Sequence, residues 1–217
     1  MRCATFLLAA YVAIVLRSAP AWSQTTYAQE LWPELRLHHS LDDLSQVVGI
    51  LEFNRDQDSG QVEQVTAGVD LDRRFTDWFV GGIGYRHGTA TGGGAYYENR
   101  LLTEQTFHIP FPQSVSADAR TREEFRWLDT GFSMRFRERV QVQRDTTIGD
   151  YTFQPYGSVE LFYDTRYGEF SRYRLIAGVT FPILSYLSAE PYLAHQVDYA
   201  SGYTIVDAIG FKVHVSY

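Results

Sequence analysis

Arginine recurs at every second or fourth position along two stretches of the chain. The two rows contain Arg120, Arg122, Arg126, Arg135, Arg137 and Arg139. Residues two apart lie on the same face of a β-strand, so each row would present its guanidinium groups to one side. A planar guanidinium pairs through two prongs with a carboxylate or another oxyanion. These rows therefore predict electrostatic chemistry, either ion pairing inside the protein or guidance of anions.

Carboxylates lie on the neighbouring segments, where they can pair with these bases. The set that we call the charge ladder consists of Glu98, Arg100, Glu104, Arg120, Arg122, Glu124, Arg126, Arg135, Arg137, Arg139, Glu160, Arg172 and Arg174. The polar faces of the other segments add Glu34, Arg36, Glu52, Asp70, Asp72, Arg86, Glu190 and Lys212. These two sets hold nine acids and twelve bases. Charges away from bulk water need partners, so this near balance predicts ion pairs between neighbouring strands.

Two histidine–serine pairs are candidates for nucleophilic catalysis. His38 and Ser40 share one face of a segment, and so do His214 and Ser216. Activation needs a hydrogen bond from serine to histidine and a third group that orients the histidine. Both pairs lie on the polar face, whereas a lipid substrate would approach the apolar face. We therefore expect no enzyme, with a lipid-modifying hydrolase kept as an alternative.

Cofactor and metal motifs are missing from the sequence. Gly92-Gly-Gly94 is not followed by the Lys-Ser/Thr of a phosphate-binding loop. No group of His and Cys residues has the spacing of metal ligands. We expect neither a cofactor nor a metal.

The elements that carry these residues are eleven predicted β-strands. They cover roughly 31–41, 47–55, 62–72, 78–88, 95–109, 119–129, 132–143, 151–164, 170–182, 188–199 and 205–217. Apolar and polar residues alternate along nearly all of them, which gives each strand one apolar and one polar face. Many are longer than the five or six residues typical of soluble strands and match tilted transmembrane strands. Alternation alone fits a soluble barrel equally well. The length of the strands and the sequence patterns at the two ends of the chain favour a membrane barrel instead.

The first residues have the pattern of a secretory signal peptide. Arg2 precedes an apolar run over 6–16, and the small residues Ala19, Ala21 and Ser23 follow. This run is too short for a membrane-spanning helix. We predict a cleaved signal peptide over 1–23 and a single barrel domain over 24–217.

The last segment alternates to its final aromatic residue, which is typical of the closing strand of an outer-membrane barrel. Its apolar face, which we expect to act as an assembly signal for the barrel assembly machinery, contains Phe211, Val213, Val215 and Tyr217. Removal of residues 1–23 removes the one cysteine and leaves 17 basic against 26 acidic residues. This acidic balance argues against general nucleic-acid binding.

These patterns predict an all-β fold, an antiparallel transmembrane β-barrel of 10–12 strands with a polar, charge-filled lumen. Bacterial single-chain barrels have an even number of strands, so we favour twelve, with a hidden strand at 24–29, and keep ten as an option. The polar connections at 56–61, 87–95 and 165–169 should face outside, and the long connection at 110–118 breaks this pattern. Glu138 falls on the apolar face, where we expect a local bulge or a position near the membrane interface.

Several segments, in order, carry a resemblance to a known family. They are Glu98-Asn-Arg100, Arg120-Thr-Arg-Glu-Glu-Phe-Arg126, Met134-Arg-Phe-Arg-Glu-Arg139, Glu160-Leu-Phe162 and Arg172-Tyr-Arg174 with Gly178. Over most of residues 30–217 the chain resembles an uncharacterised Gram-negative outer-membrane β-barrel family, a domain of unknown function. The resemblance implies a barrel in the outer membrane, in contact with its lipid, and supplies no catalytic residues.

The lumen allows two functional interpretations. Its excess of arginine fits a porin-like conduit for small anionic solutes. A barrel this narrow can also be closed by long side chains, which fits a plug of salt bridges. A structural or adhesion barrel that binds a partner through its outer loops is a further alternative.

Overall fold

The computed structural model describes residues 25–56, 62–91, 97–200 and 202–217. The predicted signal peptide and Gly92-Gly-Gly94 lie outside these ranges. Within them, no helix is both long enough and apolar enough to span a membrane.

The described chain is built from β-strands. Their bounds are β1 Thr26–Ser40, β2 Ser45–Asp56, β3 Val62–Thr76, β4 Phe79–Ala90, β5 Tyr97–Phe111, β6 Val115–Leu128, β7 Gly131–Arg144, β8 Thr146–Ile148, β9 Tyr151–Asp164, β10 Glu169–Leu184, β11 Leu187–Asp198 and β12 Thr204–Ser216. Strand β8 has three residues and pairs only with the start of β9. The eleven long strands in the described ranges match the eleven predicted from alternation.

The eleven long strands form a closed ring. Each pairs antiparallel with the next along the chain, and β7 pairs with β9 because β8 lies to one side. The ring closes where β1 pairs with β12, and this pairing is parallel from Thr26 opposite Thr204 to His38 opposite Ser216. The predicted all-β barrel is confirmed.

The ring has an odd number of strands, whereas an even number was expected. A ring with an odd number of otherwise antiparallel strands must contain one parallel pair. Residues 26–29, expected within a separate hidden strand, are instead the first residues of β1. The twelfth strand is the short β8, and the start of β1 and the end of β12 lie at opposite ends of the barrel.

The connections divide between the two ends. The turns at 41–44, 77–78, 112–114 and 185–186 lie at one end, which we call the turn end, together with Ser216. The end of β2, the start of β3, the end of β4, the start of β5 and the connection at 165–168 lie at the other end, the loop end. The predicted long connection at 110–118 is wrong, because Pro110 pairs with Ser116 and the strands continue to a tight turn. Gln113 and Ser114 make this turn with φ values of 65° and 58°.

The alternating faces separate apolar from charged side chains. On the outer face Leu193 is 63% exposed and Ile209 54%, whereas on the inner face Glu124 is fully buried. Glu138 lies on the outer face opposite Thr121, in the middle of β7. The β6–β7 register has no irregularity there, so the expected bulge is wrong, and a position near the membrane interface stays a prediction.

Candidate functional site

The strand register places the charge ladder on one wall of the lumen. Its residues lie on β5, β6, β7, β9 and β10. Arg122 is opposite Glu104 on one side and Arg137 on the other. Arg139 is opposite both Arg120 and Glu160. Because the polar residues alternate in phase on all five strands, their side chains converge in the lumen.

The first cluster of the ladder is centred on Arg126, near the loop end. Its Nη1 donates to Asp164 Oδ2 at 2.8 Å, and its Nη2 donates to Glu98 Oε2 at 3.2 Å. Arg126 and both carboxylates are at most 3% exposed. Arg100 Nε donates to Glu98 Oε1 at 3.0 Å, and Arg135 Nη2 donates to Asp164 Oδ2 at 3.2 Å. The cluster is therefore a buried network in which three guanidinium groups of the ladder share two carboxylates.

Glu124 and Glu160 organise the middle of the ladder. Glu124 accepts from Arg137 Nη1 at 2.8 Å and from Arg100 Nη1 at 3.4 Å. Glu160 Oε1 accepts from Arg120 Nη2 at 2.6 Å, and Arg137 Nη2 lies 2.9 Å from the same oxygen. Arg137 thus bridges the two carboxylates, which links β6, β7 and β9 across the wall.

Glu104 completes the pairing toward the turn end. Arg122 Nε donates to Glu104 Oε2 at 2.6 Å. Arg120 Nη1 lies 3.6 Å from the same oxygen. One carboxylate oxygen therefore holds two neighbouring guanidinium groups on β6.

The arginines of β10 turn toward other partners. Arg172 donates to Asp198, and Arg174 Nη2 donates to Gln196 Oε1 at 2.6 Å. The guanidinium of Arg174 also lies 4.6 Å from the centre of the Trp32 ring, within cation–π range. These contacts connect the charged wall to the aromatic residues beside it.

Apolar residues of β1, β11 and β12, together with Tyr156 of β9, fill the rest of the lumen. This cluster consists of Trp32, Tyr156, Tyr192, Ala194, Val206 and Ala208. Beside it, Glu190 accepts from Tyr156 Oη and from Lys212 Nζ, each at 2.5 Å. The lumen is thus packed partly by ion pairs and partly by aromatic rings.

The histidine–serine pairs do not form a nucleophile and base. His38 Nε2 lies 3.2 Å from His214 Nδ1 and the two rings stack. His214 Nε2 lies 3.0 Å from Glu190 Oε2. Within the described residues neither histidine hydrogen-bonds to Ser40 or Ser216. Both histidines face the lumen, as the alternation predicted.

Sequence reasoning missed three charged residues of the network. They are Asp164, Asp198 and Arg166, and the first two are partners of ladder arginines. Asp164 lies four residues after Glu160, and Asp198 eight after Glu190, so both share the polar face of their strand. They were overlooked because they end their strands. Arg166 follows in the next connection and donates to Asp164 through Nη2 at 2.9 Å.

Three of the predicted assembly residues lie on the outer face of β12, and Tyr217 directly follows the strand. Phe211 is 45% exposed and Tyr217 is 71% exposed. Val213 and Val215 share this face and are opposite Leu35 and Leu37 of β1. Their role as an assembly signal stays a prediction.

A cavity of about 360 Å³ lies within the lumen. Thirteen of the described residues that line it are Arg or Lys, and four are Glu. Other carboxylates of the network, among them Glu124 and Asp164, are paired with lining arginines but do not line the cavity themselves. The surface of the cavity is consequently strongly cationic, although the whole chain is acidic.

Two solved structures have a fold similar to that of this chain. A bacterial polysaccharide outer membrane secretin is 9% identical, with a TM-score of 0.52 over 81% of this chain and 63% of that chain. LpxR from Salmonella typhimurium is 12% identical, with a TM-score of 0.51 over 81% of this chain and 83% of that chain. The chain thus spans less than two thirds of the secretin, and these likenesses concern the fold. No curated protein matches the chain.

A family model described as "Protein of unknown function (DUF2490)" matches residues 29–205. The chain belongs to this family. The family resemblance predicted from the arginine and glutamate segments is confirmed.

Proposed function

We propose that this member of the DUF2490 family is a β-barrel of the Gram-negative outer membrane whose lumen is closed by ion pairs. The observation that carries the proposal is the separation of faces, with apolar side chains outside and a nearly fully paired charge ladder inside. In a soluble barrel the apolar face would be buried. An outer face this apolar needs lipid to cover it.

Two groups of aromatic residues on the outer face support a position in the membrane. At the turn end, Phe79 and Phe107 stack with ring centres 5.1 Å apart. Toward the loop end, Trp127 and Phe132 lie 5.5 Å apart. Aromatic girdles mark the two interfaces of a membrane barrel.

The spacing of these girdles fits the thickness of a membrane. Tyr97 and Phe107 are outward-facing residues near opposite ends of β5. Ten residues of strand, tilted as in membrane barrels, cover about 25 Å along the barrel axis. Because the apolar band of such barrels is about 25 Å tall, β5 has the length needed to cross it.

Closure of the lumen is supported by the density of its contacts. Arg137 ties Glu124 to Glu160, and Arg126 ties Glu98 to Asp164. The apolar cluster around Trp32 and Tyr192 fills the rest of the lumen. Opening a continuous path would separate several buried ion pairs, each of which would leave a costly unpaired charge.

Passage of small anions is the second candidate. The charge of the cavity favours this alternative, because fixed charges in a lumen select ions by sign. Among the described residues that line the cavity, thirteen are bases and four are acids. It requires a conformation in which the ladder moves aside. We assign no hydrolase activity, since His38 and His214 contact each other and Glu190 rather than a serine.

Cysteine labelling in intact outer membranes tests the placement of the faces. We expect Val213→Cys to react with a lipid-soluble maleimide and His214→Cys to resist it. These neighbours are a matched pair, since they occupy the same depth on opposite faces of β12. Equal labelling of both, or recovery of the protein without detergent from a periplasmic extract, would overturn the proposal.

A further inference from the structure

Arg139 differs from the other ladder arginines on β6 and β7 in having no carboxylate partner. Within the described residues, no Asp or Glu oxygen lies within the 4.0 Å limit of an ion pair to its guanidinium. Its Nε is buried and has no hydrogen-bond acceptor. The nearby Glu104 and Glu160 attract it from a distance, but Oε2 of Glu104 is already paired with Arg120 and Arg122, and Oε1 of Glu160 with Arg120 and Arg137.

Other positive charges surround Arg139. Arg120 lies directly opposite it on β6, and Arg36 and Arg122 repel it from β1 and β6. Like charges directly opposite on neighbouring strands destabilise a sheet. The Nε of Arg120 is also buried without an acceptor, in a side chain that is 7% exposed. This part of the lumen therefore has an excess of donors and of positive charge.

All four arginines line the 360 Å³ cavity. That volume holds a phosphate-sized ion together with water and falls at the small end of ligand pockets. Guanidinium groups match the geometry of an oxyanion because their N–H groups are arranged as a fork. A bound anion would supply the missing negative charge beside Arg139 and Arg120.

We infer that the lumen contains a binding site for one small oxyanion of the phosphate class, formed by Arg139, Arg120 and Arg122, with Arg36 facing it. The inference rests on the proposed function because it requires the ladder to face a closed lumen. The inference also extends the proposed function, since it names the class of ligand that the cationic cavity binds. The bound oxyanion completes the ion-pair network at the one ladder position on β6 and β7 that the described carboxylates leave open.

Equilibrium dialysis with radiolabelled inorganic phosphate tests the site. The full-length protein, purified in detergent, should bind one phosphate per chain in a saturable way at low ionic strength. Arg139→Gln should weaken binding at least tenfold, and Arg139→Lys, which keeps the charge and loses the fork, should be intermediate. Arg74→Gln is the matched control, because Arg74 lies at the turn end and donates to the Asp43 carbonyl oxygen.

Thermal unfolding separates a binding site from a structural arginine. Without phosphate, Arg139→Gln should unfold at the same or a higher temperature than the wild type, because it removes an unpaired charge among like charges. With phosphate, the wild type should gain stability and the variant should not, and sodium chloride at equal ionic strength should not reproduce the gain.

Three results would overturn the inference. They are the absence of saturable phosphate binding, equal binding by Arg139→Gln and wild type, and a loss of stability in this variant without phosphate. Failure of the proposed function would appear separately, as equal labelling of Val213→Cys and His214→Cys. A barrel that passes the labelling test and binds no phosphate would keep the proposed function and refute this site.

Discussion

At the residue scale, glycines of the wall make room for the largest side chains of the lumen. A Cβ atom at Gly210 would overlap the ring of Tyr192, and one at Gly178 would lie 2.7 Å from the Tyr156 hydroxyl oxygen. Both tyrosines belong to the apolar cluster that packs beside the charge ladder. The two tyrosine rings therefore occupy space that is free only because Gly178 and Gly210 have no side chain.

Gly210→Ala tests this packing. We expect the free energy of unfolding to fall by about 1–3 kcal/mol, because an added methyl group overpacks a filled interior. Chemical unfolding in lipid vesicles measures the change. Gly157→Ala is the control, since a Cβ there meets only the Ile176 carbonyl oxygen at 3.9 Å; equal effects of both variants would contradict the packing argument.

Glu124 is a shared anion in the middle of the charged wall. It is fully buried and lies within 4.0 Å of Arg100, Arg135 and Arg137. Glu124→Gln should lower the free energy of unfolding by about 3–5 kcal/mol, because it leaves buried guanidinium groups without their shared anion. Unfolding by urea in vesicles gives the value.

Glu169→Gln is the matched control for this charge removal. Glu169 is exposed at the start of β10, so the same substitution there should change the stability by less than about 0.5 kcal/mol. If Glu124→Gln were equally neutral, the ladder would be solvated rather than buried.

At the element scale, the sequence predicted the strands and their faces better than their connections. The alternation of Asp70 and Asp72 with Val69 and Leu71 reflects a local backbone geometry, so it can be recognised without the fold. The tight turn at 112–114 was missed because Pro110 suggested a break, yet it keeps its place opposite Ser116. A proline is accepted at such a position, near the end of a strand.

The ladder could be predicted as a set, and its pairings only in part. Glu104 with Arg122 and Glu160 with Arg137 follow from neighbouring strands. The isolation of Arg139 could not be predicted, because it depends on how far each side chain reaches and on which oxygen is already occupied. Such details are set by tertiary packing rather than by the pattern.

Glu138 is a polar exception on the outer face. It lies in the middle of β7 and accepts a hydrogen bond from Thr121 Oγ1 at 2.8 Å. A carboxylate near the middle of the membrane costs less than the 2–4 kcal/mol of a basic residue. Glu138→Gln, which keeps an acceptor and removes the charge, should therefore raise the stability in vesicles by up to about 2 kcal/mol.

A comparison of lipid vesicles with detergent micelles makes the Glu138 experiment specific. The gain should appear in lipid vesicles and be smaller in detergent micelles, which admit more water to the outer face. A loss of stability in vesicles would contradict the account, because it would mean that Glu138 binds a group covering this face.

At the scale of the whole molecule, ring closure was the feature least accessible from the sequence. The even-strand rule predicted an additional strand, whereas the wall has eleven long strands in the described ranges and a parallel seam between β1 and β12. Register along that seam continues over both strands, from Thr26 to His38. Closure of the ring leaves no free sheet edge. A free edge inside a membrane would carry backbone N–H and C=O groups without hydrogen-bond partners.

The central claim, a lumen closed by ion pairs within a membrane barrel, is tested most directly by single-channel recording in a planar lipid bilayer. Purified full-length protein that shows heat-modifiable mobility on gels, and is therefore folded, should give no stable conductance steps. Glu124→Gln, which loosens the ladder, should give brief openings that favour anions, since the released arginines then line the path. Long-lived, uniform conductance steps from the wild-type barrel would contradict the account.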